Sequence, residues 1–171
     1  VGEGKENAMP APHVIIPDLE AIASSLAGAD QSVALWVKQM KEVMLSTNLK
    51  DQTDWQLGYD ASVVEATSVI SATAVDVYGL LIGSISADAE RDFFCMTDTA
   101  AGDFDQTAIL DNDDLWVYQI PACATAGTEE FWPHVFPKGI NFPAGLDLLA
   151  DGRDGANPSV GDIRAWVVYR N

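Results

Sequence analysis

Basic residues are scarce: nine lysines and arginines stand against 26 aspartates and glutamates in 171 residues, a formal charge of -17. Neutralising a phosphate backbone takes clustered Lys and Arg, so direct contact with nucleic acid is not expected. Cysteine is also scarce. Cys95 and Cys123 are too few for a disulfide-dense scaffold and show no paired metal-ligand spacing. Two reduced, partly buried thiols are the expectation, with one disulfide between neighbouring strands as the alternative. Long apolar runs are missing too: the longest, Val77 to Gly83, falls far short of a bilayer, so no membrane span is expected.

Catalytic vocabulary is equally thin. Only His13 and His134 could act as imidazole bases, and neither stands near a Gly-x-Ser-x-Gly elbow or a phosphate-cradling glycine loop. His13 lies among prolines, and His134 in Trp132-Pro-His-Val-Phe136 reads as a loop or interface residue beside aromatics. Glu129 and Glu130 are adjacent, so on a strand they point to opposite faces and do not share one bond between them. No catalytic residue is assigned and the chain is read as a non-enzyme. The acids do not form a tail: residues 61 to 171 carry 17 of them against five bases, scattered among loops. Such a surface keeps a protein soluble, or meets a partner with a basic patch.

What is present divides into three parts. Residues 1–17 are rich in Gly, Pro and charge around a short apolar patch, Val14-Ile15-Ile16, and read as an extended arm whose patch must dock on its own body or on a neighbour. Residues 18–59 read as helical. Leu19, Ile22, Ala23 and Leu26 share one face after Asp18 as a cap, with Gly28 as a stop; Val33, Trp36, Val37, Met40, Val43 and Met44 form a second stripe after Asp30. From residue 60 to 171 the period switches to two. Val63–Thr73, Val75–Ile85, Arg91–Thr97, Leu115–Ile120, Glu129–Val135, Lys138–Phe142, Leu146–Ala150 and Asp162–Tyr169 read as strands, punctuated by Gly, Asp and Asn turns. About eight strands in this space predict a mainly β protein, an antiparallel jelly-roll-like β-sandwich preceded by an arm and one or two helices.

Two side-chain groupings could bind something. Oxygen-rich turns suit calcium: Asp111, Asn112, Asp113 and Asp114 in one, Asp151, Asp154, Asn157 and Asp162 in another, though neither spells the twelve-residue calcium loop. The aromatics, Trp116 and Trp132 foremost, would suit a carbohydrate-binding module if exposed, and a core or subunit interface if buried. Apart from that calcium option, no cofactor is expected.

The run Phe136-Pro-Lys-Gly-Ile-Asn-Phe-Pro-Ala-Gly-Leu146, followed by a hairpin and a final Trp166-Val-Val-Tyr strand, resembles the end of small jelly-roll proteins of tailed-phage particles. Val77-Tyr-Gly-Leu-Leu-Ile and Arg91-Asp-Phe-Phe-Cys-Met-Thr-Asp resemble their middle strands, so the likeness covers about residues 62–171. It implies a virion protein: a decoration, cement, collar or fibre-base subunit, commonly a homotrimer, in contact with partners such as the major capsid protein. The helices and the acidity lie outside the shared phrase. On this reading the arm at Val14, Ile15 and Ile16 and the helix bearing Trp36 and Met40 contact neighbouring subunits.

Overall fold

The computed structural model describes residues 17–26, 31–47, 55–64, 68–85, 92–98, 116–125, 127–152 and 162–171. Helix α1 spans Pro17–Leu26 and α2 Gln31–Thr47. Asp18 is not the cap of α1, because the helix already includes Pro17; proline suits the first turn, where a backbone N–H has no intrahelical partner to lose. The arm and the proposed stop and cap at Gly28 and Asp30 lie outside the described residues. Neither helix is long and apolar enough to cross a membrane.

Eight strands follow among the described residues: β1 Trp55–Asp60, β2 Ser68–Ser71, β3 Val75–Ser84, β4 Asp92–Asp98, β5 Trp116–Gln119, β6 Glu130–Phe142, β7 Leu146–Gly152 and β8 Ile163–Arg170. They form two four-stranded sheets, β1-β8-β3-β6 and β2-β7-β4-β5, and every pairing is antiparallel. β1 pairs with β8, β2 with β7, β3 with β6 and β4 with β5. First meets last and each inner pair nests within the outer one, so the chain is a mainly β protein with two antiparallel sheets packed as a sandwich.

Between the sheets, Val75, Val77, Leu80 and Ile82 of β3 meet Phe94, Met96, Leu146, Leu148 and Ala150 from the facing sheet and Ala165 and Val167 of β8. All are essentially inaccessible. Simple alternation puts Val77 and Leu81 of β3 on one face and Tyr78 and Leu80 on the other, but the register shifts between Val77 and Gly79 and the parity changes. Leu80 and Ile82 therefore join Val77 in the inter-sheet core, while Tyr78 and Leu81 turn to the opposite side.

That opposite side carries the helices. Leu19, Ile22, Val33, Trp36, Val37, Met40, Val43 and Met44 pack with Trp55, Tyr78, Leu81, Phe131, Trp166 and Val168 in a second core on the outer face of the β1-β8-β3-β6 sheet. Trp36 and Met40 are wholly buried there, which corrects the expectation that they meet neighbouring subunits. A fully buried side chain of this size contributes about 1.5–3 kcal/mol, so the stripe is used in holding α2 to its own body. The side of α2 left outward carries Leu35, Lys38, Gln39, Glu42 and Leu45.

Two boundaries also move. The sandwich begins at Trp55, inside the stretch read as helical, because Trp55, Leu57 and Tyr59 alternate along β1. The two strands expected at 129–135 and 138–142 are one strand, β6, at the sheet edge, where prolines lacking an N–H are tolerated. A break does survive inside it. Val77 pairs with Ile140 and Gly79 with Val135, so residues 136–139 bulge opposite Tyr78, and Gly139 takes φ +73° with the Tyr78 ring against it.

Candidate functional site

Among the described residues, one flank of the sandwich is closed by side chains rather than by a strand. β5 and β6 are edges of different sheets, and between them Trp116, Tyr118, His134 and Phe136 form a ring cluster. The His134 imidazole lies 4.4 Å from the Tyr118 ring and 4.9 Å from that of Trp116, both edge-to-face, and is stacked 6.5 Å from Phe136. Trp116 stacks on Tyr118 at 6.1 Å. Such edge-to-face and offset pairs are the geometry the ring quadrupoles prefer.

His134 also ties this flank to the helix layer, its carbonyl oxygen accepting the Trp36 indole N–H at 3.0 Å. Its own Nε2 is buried with no hydrogen-bond partner among the described residues. Burial pushes the His134 pKa down, disfavouring the imidazolium, and likewise pushes the Tyr118 phenol up. Trp116 and Trp132 are half-buried. Trp116 packs against three neighbouring rings, and both tryptophans pack on the inter-sheet core.

A different group of side chains presents a ring. On the outer face of the β1-β8-β3-β6 sheet, at the rim of the helix-covered core, Tyr59 stacks on Trp166 with centroids 5.1 Å apart. Tyr59 is 50% exposed, while Trp166 beneath it is 7% exposed. The Arg164 guanidinium lies 4.8 Å over the same indole. It donates to both carboxylate oxygens of Glu129 through Nε and Nη2. These bonds to Glu129, more than burial, govern Arg164 and hold it further above its already high pKa.

Of the remaining expectations, Val14, Ile15 and Ile16, His13, and the calcium-loop residues Asp111, Asp113 and Asp114 lie outside the described residues, as do Asp154 and Asn157. Among the described residues no group of three or more His, Cys, Asp or Glu is placed to hold a metal ion. Glu129 and Glu130 diverge as their adjacency requires, the first to Arg164 and the second accepting the Ala124 amide at 2.7 Å. Both cysteines are buried, reduced thiols. Cys123 donates to the Ser84 carbonyl at 3.1 Å, and burial pushes its pKa up; Cys95 packs with Leu149 on the outer face of the other sheet.

The sequence signal for the Tyr59 group was weak. Glu129, Arg164 and Tyr59 are far apart in the chain, and only the β1–β8 register, Tyr59 opposite Trp166, brings them together. No family model matches the chain, and no curated protein matches it.

Proposed function

We propose that the chain is a non-enzymatic structural subunit of a virus particle, a capsid decoration or cement protein or a collar or fibre-base subunit. In this reading it self-associates as a homotrimer and binds partners such as the major capsid protein. The observation that carries the reading is the nested strand order, β1-β8-β3-β6 over β2-β7-β4-β5, in the stretch that also bears the 136–146 phrase. Rolled double sheets recur in viral capsid domains, where a sealed core leaves the outer surface to vary with the neighbour it meets.

The charge supports it as well. A body at -17 seats on a basic patch and stays off packaged nucleic acid. Contact with neighbours runs through the apolar patch Val14–Ile16 of the arm and through the outward side of α2, where Leu35 is 56% and Leu45 41% exposed.

Light scattering on the purified chain and quantitative mass spectrometry of gradient-purified particles test this. A three-copy mass and a fixed stoichiometric copy number per particle are expected. A compact monomer absent from particles, or one whose particle binding is unchanged when residues 1–16 are deleted, would overturn it.

A further inference from the structure

We infer that Tyr59, Arg164 and Glu129 form a binding site for a neutral sugar ring. The inference stands apart from the virion reading, because it rests only on the chemistry of this surface.

The platform is preorganised. Tyr59 cannot fold flat into the core because Trp166 already occupies the space beneath it, so its half-exposed ring is held at the surface by stacking. Arg164 cannot swing away, since two hydrogen bonds fix it to Glu129 and its guanidinium lies over the Trp166 indole. Glu129 in turn rests where Gly83 leaves room: a β-carbon at position 83 would lie 2.6 Å from its Oε1. Little side-chain freedom remains to be lost when a ligand arrives.

The polar rim matches one ligand chemistry. A guanidinium carries five N–H donors and a carboxylate about four acceptor positions, so mutual pairing leaves both groups with unused capacity. Both side chains reach solvent, at 30% and 21% exposure. The pair therefore offers a donor and an acceptor side by side, next to an apolar ring. A pyranose is complementary on every count: one face of C–H bonds to lie on Tyr59, and hydroxyls that donate and accept together. An anionic ligand meets a self-neutralised pair on a protein of charge -17, and a cationic ligand must compete with Arg164 for Glu129.

The test is titration of the full, isotope-labelled chain with methyl hexopyranosides and neutral hexose oligosaccharides, followed by chemical shifts at the Trp166 indole and Tyr59. Saturable shifts at those two residues are expected. Tyr59→Phe keeps the ring and retains binding; Tyr59→Ala weakens it at least about tenfold, the size of effect that loss of one principal contact gives. Glu129→Gln, which removes the charge of the acceptor and loosens Arg164, weakens it as well. No shift with any neutral sugar, an affinity unchanged in Tyr59→Ala, or loss of binding in Trp116→Ala instead, would overturn the inference. Failure of the chain to associate with particles would leave this titration unaffected.

Discussion

Met40 lies directly over Gly79. A β-carbon built on that glycine would fall 2.8 Å from Met40 Cε and closer still to the sulfur. The register shift between Val77 and Gly79 turns position 79 toward the helix, and the missing side chain lets α2 settle onto the sheet at its midpoint. Gly79→Ala should therefore cost about 1–3 kcal/mol by overpacking, and Met40→Ala about 2–5 kcal/mol by leaving a cavity. The double variant should be more stable than the sum of the two losses, because each change relieves the fault of the other. Urea unfolding of the four proteins measures this; strict additivity would separate the two residues.

Trp36 is the second anchor of α2, and its indole N–H is its one polar claim. Trp36→Phe preserves most of the apolar volume but leaves the His134 carbonyl without this donor, and should cost about 1–3 kcal/mol. Hydrogen exchange should rise in α2 and β6 together. Exchange confined to α2 would show that the bond does not couple the helix to the edge strand.

His134 predicts a pH dependence of definite sign. Burial lowers its folded-state pKa below the unfolded value of about 6.5, so below that pH the unfolded chain takes up the proton more readily. The stability associated with a neutral His134 is complete above about pH 6.5 and declines as pH falls toward the folded pKa. Melting curves from pH 8 to 5 should show a native-minus-His134→Gln stability difference that shrinks across that window. A difference constant with pH would remove the imidazole as its source.

Cys95 and Cys123 should resist modification in the folded protein. They are 0% and 5% exposed, and burial disfavours the Cys123 thiolate that a thiol reagent requires. With an aromatic disulfide reagent both thiols should react at once in denaturant and slowly without it. Rapid labelling of Cys123 in buffer would mean that its segment opens readily.

How much of this was legible beforehand depended on how local the signal was. The α2 stripe, Val33 to Met44, announces a helix with one apolar face because the information lies within four residues of each position. What that face packs against depended on Gly79 and Tyr78, a separate stretch of chain, and so Trp36 and Met40 looked available to a neighbour. Trp55-Gln-Leu-Gly-Tyr-Asp60 has the alternation of a strand, but a central glycine and only six residues dilute it, and its partner β8 lies at the opposite end of the sequence. Pro137 and Gly139 mark a real irregularity in β6, though a bulge within one edge strand reads in sequence like a turn between two. The meeting of Tyr59, Arg164 and Glu129 had no local signature, since each belongs to a different segment and only strand register unites them.

The position of β8 also bears on how the chain is made. It is the last strand described, yet it sits inside its sheet, between β1 and β3, and both of its edges are paired. During synthesis β1 and β3 emerge with no strand to join them until residues 163–170 have left the ribosome. One of the two sheets therefore closes late, across a separation of about a hundred residues, and the nascent chain must keep two hydrogen-bonding edges from pairing elsewhere in the meantime.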